Sequence, residues 1–187
     1  MSLKELTHEK HKSAERQEFV KVMFSGNIHP EFYATFLANQ HPIYEFLEVN
    51  AMARQVLTGM PEEIRRAPAI LSDFLELWPN QDTKPKILPV VDEYLKHILL
   101  ISTTDPKMLM AHIYVRHMGD LAGGQMIAKK VPGSGKFYQF NDPDKLKEEI
   151  RSRIDDSLGD EANICFDFAI KLFQQLMELD IPKYKDE

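Results

Sequence analysis

The chain has 187 residues, 43% hydrophobic and 28% charged, which is enough apolar surface for one core and shows no compositional shift that would divide it; a single domain over 1–187 is expected. Its formal net charge of -6 argues against a broad nucleic-acid-binding face, and its single cysteine, Cys165, excludes an intramolecular disulfide and any CxxC metal or redox motif. No run of about 18 apolar residues occurs, and the opening MSLKELTHEKHKSAE has no apolar signal core, so a soluble protein of the cytoplasm is expected, with no membrane and no nucleic acid among its partners.

Apolar residues recur at helical spacing almost throughout. Segments near 3–24, 30–58, 61–78, 85–102, 105–131, 142–157 and 160–179 predict helices, punctuated by SGNIHP, TGMP, PNQDTKP, TTDP, VPGSGKFYQFNDP and SLGD. Alternating β runs bounded by hairpin turns are not found, so the fold class is all-α, a multi-helix bundle of seven or eight helices. On the first helix Lys4, His11 and Glu15 stand at i, i+7 and i+11 and share a face. His11 is a candidate iron ligand with Lys4 reaching an anionic edge of the same molecule, although His8 is almost as good by spacing and a solvated first helix is the plainer alternative. Pro42, inside the second helical pattern, predicts a kink or local break. Thr104 or Asp105 before Pro106, and Asp142 before Pro143, suit an N-cap followed by proline at the first helical position.

The segment RHMGDLAGGQM interrupts the fifth helix with Gly119, Gly123 and Gly124, each costing a helix interior roughly 1 kcal/mol relative to alanine. A loop between two helices is one reading. The other uses the four-residue spacing of Gly119 and Gly123, which bares a strip of backbone on one face where a flat ligand approaches closely. Arg116, Asp120 and Gln125 argue against a membrane GxxxG contact, and the absence of a following Lys-Ser or Lys-Thr argues against a phosphate loop. Further along, Lys147 and Arg151 lie four apart and point the same way, as an exposed ion-paired helix face also does. Cys165 reads as core packing, and His29, His41 and His97 carry no assigned role.

LTHEKHKSAE, PEEIRRAPAILSDFLELW, AHIYVRHMGDLAGGQ, DKLKEEIRSRI and FDFAIKLFQQL together resemble the proximal, middle, distal and last two helices of the haem oxygenase family. A GDxxGGQ distal segment following an HxxAE proximal one is a specific combination. The resemblance implies haem held between a proximal N-terminal helix and a kinked, glycine-rich distal helix. His11 matches the proximal iron ligand and Glu15 the carboxylate that bonds its other ring nitrogen. Lys4, Tyr114, Lys147 and Arg151 match positions that hold the propionates. Gly119 and Gly123 match glycines whose backbone touches the ring, and Tyr44, Arg116 and Asp120 match the distal hydrogen-bond network. His112 matches a residue that is not a ligand.

The implied activity is oxidative opening of haem b, both substrate and cofactor, at a meso carbon, the α position, to biliverdin, carbon monoxide and ferrous iron. It consumes oxygen and electrons from ferredoxin or another reductase, with Lys147, Arg151 and Arg153 as a candidate basic rim for the donor. A monomer of bacterial, phage or processed plastid type is expected, without a C-terminal anchor and with a bilin reductase downstream. Three positions depart from the pattern: Ala169 stands where vertebrate members commonly carry asparagine, His117 replaces a tyrosine beside Arg116, and Pro42 lies close to Tyr44. A non-enzymatic haem carrier of the same fold is the alternative function; it would have no use for Asp120 or the glycine strip. Relatives that work without haem would need a nucleophilic cysteine or a repeated Glu-x-x-His set, and no such repeat is present.

Overall fold

The computed structural model describes residues 1–78 and 82–186; Pro79, Asn80 and Gln81 of the PNQDTKP punctuation lie outside them. Among the described residues all regular structure is helical apart from one isolated antiparallel bridge, Ile28 to Tyr184. The predicted helix over 3–24 is three short ones, α1 (Leu3–Leu6), α2 (His8–Glu15) and α3 (Glu18–Phe24). Ser2 and Glu5 form a capping box at the start of α1. Thr7 interrupts the run: its Oγ1 donates to the Leu3 carbonyl at 3.0 Å, the local side-chain bond that competes with helix propagation. Gln17, extended at φ -63° and ψ 143°, turns the chain into α3. Lys4 and His11 therefore lie on separate helices, a correction to the single face expected of them.

The next helix, α4 (Pro30–Ala53), is the centre of the molecule. Phe32, Tyr33, Phe36, Leu37, Ile43, Tyr44, Leu47 and Ala51 are all buried along it; burial surrounds its first half and follows one face of its second. It continues through Pro42 without a break, with Phe36 and Leu37 before the proline and Ile43, Tyr44 and Leu47 after it held in the core. It ends at Ala53 rather than near 58, where Gln55 at φ 63° and Gly59 at φ 78° form a turn. Arg153 closes that turn by donating to the carbonyls of Val56 at 3.1 Å and Thr58 at 2.8 Å.

Two helices, α5 (Ala67–Leu77) and α6 (Pro89–Thr104), pack against α4. Asn39 fixes the approach to α6: its Nδ2 donates to the Lys86 carbonyl at 2.9 Å and its Oδ1 accepts from Leu88 N at 2.8 Å. Pro106–Met108 forms a 3-10 turn, without a side-chain cap from Asp105, before α7 (Leu109–Ala122) and the short α8 (Gly124–Ile127). The expected 105–131 helix is thus divided at Gly123. Asp142 does cap α9 (Pro143–Arg151), accepting from Lys145 N at 3.1 Å. That helix stops at Arg151 instead of 157, since Asp155 caps a separate 3-10 turn at Asp156–Leu158. The last helix, α10 (Gly159–Met177), packs on α7, α2 and α3 and closes the bundle.

Candidate active site

A cavity of about 960 Å³ opens between the N-terminal helices and α7, with α4 and α10 contributing to its walls. It is near the upper end of volumes that enclose small ligands. Gly119 and Gly123 line it, as do His11, Tyr44, Arg116 and Asp120.

The three glycines divide into two kinds. A Cβ at Gly119 would meet no other atom within 4 Å, and one at Gly123 would meet only the Gly119 carbonyl at 3.5 Å, an ordinary contact. The protein itself therefore gives no packing reason for either, and both face the cavity. A Cβ at Gly124 would come closer than 3.0 Å to the Tyr138 ring. That ring is held in place by the Lys136–Tyr138 turn, whose backbone N–H groups at Lys136 and Phe137 donate to Asp73 at 2.9 and 2.8 Å. Gly124 answers to packing; Gly119 and Gly123 leave space for something else.

The polar groups behind this strip form a connected set. Tyr44 Oη donates to Asp120 Oδ2 at 2.8 Å, buried on both sides. Burial pushes the Asp120 carboxyl up to about 6 against the pull of His117, the Tyr44 hydrogen bond, Arg66 and Arg116. Burial, then the Asp120 charge, also pushes the Tyr44 hydroxyl well above its ordinary value, so it stays protonated. Arg116 donates from Nε to Tyr94 Oη at 3.1 Å and from Nη1 to Gln40 Oε1 at 2.8 Å, while its buried Nη2 has no protein partner. Buried donors without partners are uncommon. A cavity with a bare helix strip and an unsatisfied guanidinium nitrogen fits a flat ligand carrying an acceptor or ordering water beside it.

On the opposite wall, His11 lies on α2 with its side chain 54% exposed and its ring edge-on to Phe166 at 5.7 Å. Its Nε2 faces Glu15 Oε1 at 3.6 Å, too long for a hydrogen bond and through the nitrogen that a proximal ligand would direct elsewhere. The expected Glu15 bond to the other ring nitrogen is not formed in this structure. His8 and Lys4 line the same cavity.

The expected cationic edge is only partly assembled. Tyr114 and Arg151 line the opening, and the Arg151 charge works to lower the Tyr114 hydroxyl, which burial nevertheless holds above its usual value. Lys147 does not border the cavity: its Nζ lies 3.4 Å from Asp144 Oδ1, one turn earlier on α9. The structure thus brings Arg151 but not Lys147 to the opening, which only the C-terminal turn of α9 reaches.

Several residues at the site were not anticipated. Gln40 and Tyr94 anchor Arg116. Glu48, fully buried, accepts from Arg66 N at 2.7 Å and lies 3.2 Å from His117 Nε2. Gln40, Tyr44 and Glu48 recur every four residues along α4, and that polar stripe was the available signal. His117 packs its ring against Tyr44 at 5.3 Å, and Ala169 lines the cavity. Cys165 is buried, as expected, but it also lines the cavity and lies 3.2 Å from Tyr94 Oη.

Comparison with known proteins gives the same direction. Residues 1–175 match the family model described as heme oxygenase. The chain is 29% identical to Heme oxygenase 1 of Rattus norvegicus over 214 aligned positions, covering all of this chain and 74% of the rat protein. It is 30% identical to the heme oxygenase of the alga Rhodella violacea, covering 94% and 86% of the two chains. Heme oxygenase-1 of the cyanobacterium Synechocystis, solved in complex with heme, superposes with a TM-score of 0.79 at 26% identity, over 93% of this chain and 90% of that one. The heme oxygenase of Leptospira interrogans gives 0.75 at 28%, over 92% and 98%. No helix among the described residues is long and apolar enough to cross a membrane.

Proposed function

Because the chain belongs to the haem oxygenase family, we propose that it opens haem b oxidatively at the α-meso carbon, giving biliverdin, carbon monoxide and ferrous iron. The observation that carries this reading is one cavity with His11 on one wall, the bare strip of Gly119 and Gly123 on another, and the Tyr44–Asp120 pair behind the strip. Haem supplies the iron at which oxygen is bound and reduced, and the porphyrin that is opened.

The residues of the chain then have distinct tasks. His11 offers an imidazole to the iron, with Glu15 near enough to orient the ring once it turns. Lys4, Tyr114 and Arg151 border the cavity where the propionates would leave it, and Lys147 is a weaker contributor from its place beside Asp144. Gly119 and Gly123 let a flat ring lie against α7, and the wall they form restricts approach to one edge. Asp120, poised near pH 6, holds or releases a proton close to neutrality. Tyr44 donates to it and keeps its own proton; Arg116, braced by Gln40 and Tyr94, retains Nη2 as a free donor. With the bare glycines forming the wall and Asp120 held by Tyr44 behind them, a bound oxygen would meet no direct acid, which would favour oxidation of the ring over peroxidase chemistry.

Electrons come from ferredoxin, docking on a basic rim that includes Lys147 and Arg151. Arg153 contributes less than the sequence implied, because its guanidinium is occupied by the carbonyls of Val56 and Thr58. The decisive experiment mixes purified protein with hemin and follows the visible spectrum while ferredoxin, its reductase and NADPH are added. Biliverdin with carbon monoxide is expected. A haem spectrum that never bleaches would make the protein a carrier, and no haem spectrum would remove the site.

A further inference from the structure

Behind Arg116, away from the cavity, lies a second cluster that this reading does not use. His97 of α6 and His112 of α7 both direct Nε2 at the same carboxylate oxygen, Glu161 Oε1 of α10, at 2.5 and 2.7 Å. The three ligand atoms lie within 4.8 Å of one another. His112 is completely buried, the His97 side chain is 20% exposed and that of Glu161 11% exposed. Three helices thus converge two imidazole nitrogens and one carboxylate oxygen on a single point that opens to solvent on one side. From the sequence, His97 had been assigned no role; these three residues lie 15 to 64 positions apart in pairs, with no spacing motif to reveal them.

We propose that His97, His112 and Glu161 bind a divalent transition-metal ion of the zinc type, at the outer end of a hydrogen-bonded chain that leads to the cavity. The donor set is right in number and kind: two imidazoles and a carboxylate, with a fourth position left to water, is a common zinc arrangement. The metric demand is small. Ligand bonds of about 2.0–2.1 Å at tetrahedral angles separate ligand atoms by about 3.3 Å, so each nitrogen withdraws from Glu161 by less than about an ångström while the two nitrogens close in. His97 and Glu161, both near the surface, can make that adjustment by side-chain rotation.

The ion would be felt in the cavity wall because of what His112 touches next. Its Nδ1 lies 2.6 Å from Tyr94 Oη, which in turn lies 3.2 Å from Cys165 Sγ and accepts from Arg116 Nε at 3.1 Å. In the metal-free tautomer that donates from His112 Nε2 to Glu161, Nδ1 accepts the Tyr94 proton and the Cys165 thiol is free to donate to Tyr94. A metal on Nε2 requires the proton to sit on Nδ1, as in metal-ligating histidines generally. His112 and Arg116 then fill both lone pairs of Tyr94 Oη, and Tyr94 must turn its own proton to Cys165. Arg116 and Cys165 both line the cavity.

Equilibrium dialysis of the haem-free protein against zinc, with metal analysis, tests the site without depending on haem or on turnover. One equivalent should bind, at least tenfold more weakly in His97→Ala and in Glu161→Gln, while His11→Ala keeps wild-type affinity. These two variants alter partly exposed residues and avoid the packed His112, and circular dichroism verifies that they fold. Equal affinity in both variants, or loss confined to His11→Ala, would overturn the assignment. Cys165 is the only cysteine, so its S–H stretch is a unique infrared reporter: zinc should move it to higher frequency as the thiol ceases to donate. A full equivalent of zinc with an unmoved band would refute the link to the cavity.

Discussion

Replacing Asp120 with asparagine should make the haem-free protein more stable while slowing its activity. The carboxyl is raised from 3.8 to about 6 because burial penalises the charged form more than its neighbours favour it. A carboxyl whose folded-state value lies above its unfolded one contributes stability below the unfolded value and loses it as pH rises through the folded one. Two units at 1.36 kcal/mol each make that loss about 3 kcal/mol, complete above about pH 7. Roughly half has accumulated by pH 5, so the advantage of Asp120→Asn should widen by about 1–2 kcal/mol between pH 5 and pH 8. The amide oxygen can still accept from Tyr44, which keeps the comparison close to a removal of charge alone. Urea unfolding at the two pH values, with an unchanged m-value, measures it. A variant advantage that is the same at both, or that shrinks toward pH 8, would show that Asp120 is not an ionised carboxylate buried at a cost. Biliverdin formation by the same variant should be slow, since an amide near the strip cannot exchange a proton near neutrality.

Three further outcomes are expected. His11→Ala should still bind haem but lose the histidine-ligated spectrum and turnover, with partial rescue by added imidazole; His8→Ala, from the same cavity wall, should keep both, and the opposite pattern would exchange their roles. Gly119→Ala should stabilise the haem-free protein by about 1 kcal/mol through helix propensity and weaken haem binding, whereas Gly124→Ala should destabilise it by about 1–3 kcal/mol through overlap with Tyr138; thermal melts with and without hemin separate the two effects, and equal melts would defeat the distinction. Arg151→Ala should weaken haem binding and yield mixed biliverdin isomers, while Lys147→Ala should change little, as chromatography of the products will reveal.

Much of the helical plan was legible because apolar period and proline-marked starts are local properties, and the Asp142 cap before Pro143 is found as expected. Element ends were less so. Thr7, Gln55 and Asp155 each stop or divide a helix through side-chain bonds or backbone angles that ordinary composition does not announce. At the site, residues with a motif around them could be singled out, and His11, Arg116, Asp120, Gly119 and Gly123 line the cavity. Gln40, Glu48 and Tyr94 were not, because a buried polar residue on a helix is recognisable only from the partner that satisfies it, and those partners lie 18 to 76 positions away. Spacing on α9 likewise put Lys147 and Arg151 on one face without showing that the cavity reaches only one of them.

The two walls of the cavity are unequally fastened. Arg116, His117, Asp120 and Leu121 lock α7 into the core, whereas from residue 1 to residue 16 only Leu3, Thr7 and Ala14 are buried, and such thinly anchored segments open most readily. On the proposed function, the bond from His11 to iron would be a principal tie holding the loose wall against the ring. Loss of iron from an opened ring would remove that tie, so the reaction would undo its own clamp, and departure of the product would be coupled to its completion without any separate gate.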